Sequence, residues 1–140
     1  MTHAFTWLHS ARSAYFETNP DTTDLTVIEL ADRFPTSTAA QVYAETRAGI
    51  RQCNGSRFVY ADLMFAITCH EITSSPFGNE SESFEFARSS TRSAPPIVHA
   101  LIGIARRGDE VLVVSLQNGL GGPVDRRLFG VIMTRAAEAA

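Results

Sequence analysis

The chain has 140 residues, of which 44% are hydrophobic and 19% are charged, and its formal net charge is −3. These values are typical of one globular domain, so we predict a single domain over residues 1–140 and exclude a disordered tail, a collagen and a coiled coil. All 12 basic residues are arginines, which excludes a lysine nucleophile, and the net negative charge predicts no nucleic-acid partner.

Two strands joined by a turn are the first predicted elements. Residues 4–17 are rich in aromatic side chains and predict one or two short strands. Asn19-Pro20-Asp21 predicts the turn, because Pro fixes φ and the Asn and Asp side chains bond the local backbone. Residues 25–30 are apolar and β-branched, which is typical of a strand that returns beside the first.

A helix is predicted over residues 38–53. Thr38 and Gln41 have the spacing of a capping box at its start, and Asn54-Gly55 is a suitable stop. One stripe of the helical period should face the core. Its members are Ala39, Tyr43, Thr46, Ile50 and Cys53.

Residues 58–68 predict one long strand with two different faces. Its odd positions, from Val59 to Cys69, are apolar and should pack on the helix, which also brings Cys69 towards Cys53. Its even positions mix aromatic and polar side chains, a composition that suits a ligand pocket or a dimer interface. The even row consists of Phe58, Tyr60, Asp62, Met64, Thr68 and His70.

Three further strands and a helix complete the chain. Strands are predicted at residues 82–88, 99–105 and 111–116, the last two forming a hairpin around a polar turn that contains Gly108. Asp125 can cap the final helix. This order predicts an α+β fold, an antiparallel β-sheet with two main helices packed on one side and a ligand pocket on or beside the other.

The mixed strand face predicts an aromatic-lined pocket for a hydrophobic small molecule. Asp62 would be a polar anchor or general base if buried, or else an ion-pair partner of an arginine; His99 would be an acid/base or a satisfied core imidazole. No zinc-like spacing of His and Cys occurs, so neither a metal site nor a cofactor is predicted. The predicted ligand-binding residues are Trp7, Tyr15, Tyr60, Asp62, Met64, Phe86 and His99.

The two cysteines, Cys53 and Cys69, allow two readings. They are either two buried thiols or one disulfide, and geometry decides between them.

Three segments carry a resemblance to a known family: residues 25–53, Gly78-Asn79-Glu80-Ser81 with the strand that follows, and residues 106–114. They resemble the PknH-type sensor domain of actinobacteria, although Asn79 replaces the family's Asp. The resemblance implies a β-sheet with helices and a cleft for an unknown ligand. Family members are normally exported and carry more cysteines, usually paired, whereas this chain begins without a recognisable leader.

A leaderless chain of this size is also similar to the small cyclases of streptoseomycin- and nargenicin-type macrolide biosynthesis. That similarity implies a cytoplasmic, cofactor-free enzyme that holds a polyketide-like substrate for cycloaddition in antibiotic biosynthesis. The alternatives are a non-catalytic ligand-binding sensor domain of an exported protein, which would be extracellular, and a homodimer whose interface is the mixed face. No apolar run is long enough for a membrane span, so no membrane partner is predicted.

Overall fold

The computed structural model describes residues 12–15, 25–74, 76–90 and 98–139. The strands are β1 (Arg12–Tyr15), β2 (Leu25–Arg33), β3 (Arg57–Tyr60), β4 (Leu63–Ile72), β5 (Glu80–Ser90), β6 (Val98–Arg107) and β7 (Glu110–Asn118). The helices are α1 (Thr36–Gln52) and α2 (Arg126–Ala139). All strands pair antiparallel in one sheet, which confirms the predicted α+β class.

The strand order across the sheet is β1-β2-β7-β6-β5-β4-β3. Strands β3 to β7 therefore follow one another as a meander, and α1 carries the chain from β2 to the far edge where that meander begins. Strand β7 returns beside β2, so β6 and β7 lie in the interior of the sheet.

The two helices lie on opposite faces of the sheet, so the prediction that both pack on one side is wrong. On β7, Val111 belongs to the apolar cluster of α1, with Ala39 and Tyr43. Its neighbour Leu112 belongs to the cluster of α2, with Met133. Adjacent residues of a strand point to opposite faces, so each helix covers its own face.

The sequence of β7 carries the signal for this two-sided burial. Val111, Leu112 and Val114 are all buried, and such a continuous apolar run is typical of a strand covered on both faces. A one-sided sheet would instead alternate apolar and polar residues along β7.

The predicted long strand over residues 58–68 is a hairpin. Ala61 and Asp62 form a two-residue turn between β3 and β4, and both have positive φ, 48° and 62°. That geometry is typical of a type I′ turn, which usually takes Asn or Gly. The sequence does not predict this turn, because Ala61 and Asp62 are not the Asn-Gly type of pair that such turns usually take.

The hairpin changes which side chains share a face. Phe58 pairs with Phe65, and their rings stack with centroids 5.1 Å apart. Val59 pairs with Met64 on the opposite face. The single even-numbered face predicted from Phe58 to His70 is therefore wrong, because the chain reverses within it.

The two helices begin differently. Helix α1 starts after Pro35 with no side-chain cap, so the capping box of Thr38 and Gln41 is wrong. Helix α2 has the predicted cap, since the Asp125 carboxylate accepts hydrogen bonds from the backbone N–H groups of Arg127 and Leu128.

Other predicted features are confirmed. Strands β1 and β2 pair antiparallel, and Gly108 at φ 60° turns the β6–β7 hairpin. Gly55, with φ 80°, follows α1 as the predicted stop. The predicted turn at Asn19-Pro20-Asp21 lies outside the described residues.

Candidate functional site: a cleft beside the second helix

A cleft of about 640 Å³ lies between one flank of α2 and the connection from β4 to β5. We call it the α2 cleft. Its apolar lining comes from both sides, with Ile72 and Phe77 on the sheet side and Phe129 and Val131 on the helix. Phe129 is buried, whereas Val131 is 46% exposed, so the apolar surface continues from the core to solvent.

Small and hydroxyl-bearing residues also line the cleft, namely Thr73, Ser74, Gly130 and Thr134. Gly130 matters most for the shape of the cleft. A Cβ atom built on Gly130 would meet no heavy atom within 4 Å, so the space in front of the helix is open at that residue.

Four charged residues of α2 line the same cleft: Arg126, Arg127, Arg135 and Glu138. Three positive charges and one negative charge give this wall a local net charge of +2, in a chain whose formal net charge is −3. Arg127 and Arg135 form no ion pair with any residue that the structure describes.

Glu85 on β5 holds the third arginine in place. Its Oε2 accepts a hydrogen bond from the Arg126 guanidinium at 2.5 Å, and its Oε1 lies 2.9 Å from Nε2 of His99. His70 on β4 approaches Oε2 at 3.8 Å. Chiefly the hydrogen bond from Arg126, together with that from His99, lowers the pKa of Glu85 despite its partial burial.

His99 is a satisfied, half-buried imidazole at the base of this network. Its Nδ1 lies 3.2 Å from the carbonyl oxygen of Gly122, and its Nε2 faces the Glu85 carboxylate. Both partners accept hydrogen bonds, so the ring makes both bonds at once only when both nitrogens carry a proton. His99 therefore acts here as a support for Glu85 and, through it, for Arg126.

The residues predicted to line one pocket lie at separate places. Phe86 is half-buried in the α1 cluster, on the opposite face from His99. Met64 is 43% exposed on the α2 face, and Asp62 is exposed in the β3–β4 turn. These described residues do not line the α2 cleft, and His99 reaches it only through Glu85 and Arg126.

The remaining predicted ligand-binding residues are described only in part. Trp7 lies outside the described residues, Tyr15 ends β1, and Tyr60 pairs with Leu63 across the β3–β4 turn. Tyr15 and Tyr60 lie on β1 and β3, the two edge strands of the sheet, whereas α2 packs mainly on β6 and β7.

Both cysteines are free thiols in the structure. Cys53 is exposed after the end of α1 and donates a hydrogen bond to the Gly49 carbonyl, with Sγ and O 3.4 Å apart. Cys69 is buried beneath α1, and burial, with a smaller contribution from nearby Cys53, raises the pKa of its thiol. The expectation of two buried thiols thus holds for Cys69 alone.

The residues that sequence reasoning missed are the arginines of α2 and Phe77. Arg126 and Arg127 directly follow the Asp125 cap, the one feature of this helix that its prediction uses. Two adjacent charges at the start of a helix are usually solvated, so the sequence gives no sign that one of them reaches Glu85, 41 residues away.

No group of three or more His, Cys, Asp or Glu side chains within the described ranges has the proximity that a metal ion would require. Neither α1 nor α2, the helices of the described part, is both long and apolar enough to cross a bilayer. No protein-family model matches this chain, and no curated protein matches it.

Proposed function

We propose that this chain is a small-molecule-binding domain that takes a hydrophobic ligand into the α2 cleft. The observation that carries the proposal is the cleft itself, at about 640 Å³, a volume within the range typical of ligand pockets. Its apolar lining from Ile72, Phe77, Phe129 and Val131 would gain from being removed from water.

The rigidity of the surrounding fold supports this function. Met133, one turn along α2 from Phe129, is fully buried against the sheet, and Gly103 on β6 allows that close approach. The wall of the cleft is thus anchored by the core, and a largely pre-formed site loses less entropy on binding than a flexible one.

Gly130 provides a direct test, because a side chain there would point into open space. The variant Gly130→Phe should place a ring in the cleft from a Cβ that meets no heavy atom within 4 Å. Gly49→Phe on α1 is a matched control, since a Cβ at Gly49 also meets nothing within 4 Å. The probe is the neutral dye Nile red, whose fluorescence rises in apolar surroundings.

We expect saturable dye binding to the wild-type protein and to Gly49→Phe, and at least about a tenfold loss of affinity in Gly130→Phe. Equal binding by all three proteins would show that the dye binds elsewhere. The absence of saturable binding to the wild type would contradict the proposal outright.

Cyclisation of a polyketide-like substrate is a more specific prediction, and it stays a prediction. Its test is incubation of the purified protein with a linear polyene of suitable length, with Gly130→Phe as the control. Acceleration over buffer that is lost in Gly130→Phe would make the α2 cleft a reaction chamber, whereas binding without acceleration would favour the sensor-domain alternative.

A further inference from the structure

We infer that the ligand of the α2 cleft carries an acidic group, and that Arg127 together with Arg126 binds it. This inference rests on the proposed function and adds the chemical class of the ligand, an amphipathic carboxylic acid. Its basis is that two arginines at the start of α2 line a cleft whose apolar lining comes from Ile72, Phe77, Phe129 and Val131.

The first argument is the positive charge of Arg127 in the cleft. Five of the described arginines have an acidic partner, as Arg47 does with Glu82 and Arg106 with Glu80, at 3.0 and 2.8 Å. Arg127 lines the cleft without such a partner among the described residues. A ligand carboxylate would supply the missing acceptor, and guanidinium–carboxylate hydrogen bonds are among the stronger ones in proteins.

The second argument is that Arg126 already binds a carboxylate, that of Glu85, so its guanidinium is accessible to an acidic group. Its Nη2 donates to Glu85, and a guanidinium has further donors that this bond leaves available. Glu85 also bonds His99, so its charge is shared between two cations when His99 is protonated. The ligand therefore need not displace Glu85 in order to bind Arg126.

The polarity along α2 sets the orientation of the ligand. Arg135 lies eight residues after Arg127, about 12 Å along the helix at about 1.5 Å per residue, and Glu138 follows it within one turn. That end of the cleft carries both signs of charge, whereas the Arg126–Arg127 end faces one carboxylate shared with His99. The acidic group should lie at the start of α2, with the hydrophobic tail running along Val131 and Phe129.

Three ligands of equal chain length test the inference: decanoate, 1-decanol and decylammonium. They share a hydrophobic tail and differ in the charge of the head group, and each is measured by its displacement of Nile red. We expect decanoate to bind about tenfold more tightly than decanol, and decylammonium to bind more weakly than either. Added salt should weaken only the binding of decanoate towards that of decanol.

Charge-removing variants locate the head group. Arg127→Gln should lower decanoate affinity about five- to tenfold and leave decanol affinity unchanged. Arg57→Gln removes another exposed arginine, on β3 and outside the cleft, and should change neither. Arg135→Gln should have a smaller effect on decanoate than Arg127→Gln.

The outcomes separate this inference from the proposed function. If decanol and decanoate bind equally well and Arg127→Gln changes neither, the cleft binds hydrophobic ligands but the acid inference is wrong. If none of the three displaces a dye whose binding is lost in Gly130→Phe, the acid inference is wrong and the proposed function stands, whereas both fail if the wild type does not bind the dye. If Arg57→Gln weakens decanoate as much as Arg127→Gln does, the effect is one of overall charge and the head-group assignment is overturned.

Discussion

The two faces of the sheet are covered to different extents, and this difference creates the α2 cleft. On one face, α1 packs on β4, β6 and β7, and Phe84 of β5 is fully buried beneath it. On the other face, α2 packs mainly on β6 and β7. The β4 residues Met64, Thr68 and His70 therefore stay exposed on the α2 face.

The fully covered face stabilises the fold, and the partly covered face leaves room for the α2 cleft. The α1 face is a core with apolar contacts and an ionic rim, where Arg47 bonds Glu82. The α2 face has a core only under the helix, and a groove opens at its flank. The two faces differ because α1 contacts β4 as well as β6 and β7, whereas α2 contacts mainly β6 and β7.

The largest expected effect concerns the covered and open parts of the sheet. Phe84→Ala should destabilise the protein by about 3–5 kcal/mol, because the ring is fully buried. Met64→Ala should change stability by less than about 0.5 kcal/mol, because Met64 is 43% exposed. Urea unfolding measures both, and an equal loss in the two variants would mean that the β4 surface is covered after all.

A second prediction tests how closely α2 approaches the sheet. A Cβ at Gly103 would lie 2.6 Å from Met133 Sδ and 3.0 Å from Phe129 Cζ. Gly103→Ala should therefore cost about 1–3 kcal/mol through overpacking. The matched control Gly49→Ala, in open space on α1, should instead stabilise by about 0.5–1 kcal/mol. If Gly103→Ala leaves the free energy of unfolding unchanged, α2 lies farther from the sheet than described.

A third prediction compares the starts of the two helices. Asp125→Ala should cost about 1 kcal/mol, because it removes two hydrogen bonds to the first turn of α2. Thr38→Ala should stay within about 0.5 kcal/mol, because no side chain caps α1. Thermal unfolding measures the loss of stability in both variants. A larger loss for Thr38→Ala than for Asp125→Ala would mean that Thr38 does cap α1.

The smallest effect is a pH dependence at the α2 face. The pKa of Glu85 is lowered in the folded protein, so its charge stabilises the fold above the unfolded pKa of about 4.3, and this contribution fades as the pH falls through the folded pKa. The stability difference between wild type and Glu85→Gln should be present at neutral pH and shrink below about pH 4. A difference that grows on acidification would contradict the assigned ion pair.

Much of the fold could be predicted because its signals are local. Strand β2, the β6–β7 hairpin and the Asp125 cap follow from β-branched residues, a turn glycine and a helix-capping carboxylate. The β3–β4 turn could not be predicted, because Ala61 and Asp62 adopt positive φ although neither is a residue that usually occupies such a turn. The burial of both faces of β7 was not predicted, since both helices were expected on one side, although the continuous apolar run of β7 is typical of it.

The candidate site could not be predicted because it depends on distant contacts. His99 was identified as a residue of interest, but its partner Glu85 lies on the neighbouring strand, and Arg126 reaches them from α2. Strand register and the crossing position of the helix bring these three together, and neither can be read from spacing along the chain. Of the aromatic residues singled out from the sequence, Phe86 packs in the α1 cluster instead.

The most direct test of the account is to map where decanoate binds by titrating ¹⁵N-labelled protein and following the backbone amide signals. We predict that the shifts concentrate on the flank of α2, including Arg127, Gly130 and Thr134, and on Thr73 and Phe77 across the cleft. Shifts concentrated on β3 and the β4 residues around Met64, with the α2 amides unmoved, would contradict it.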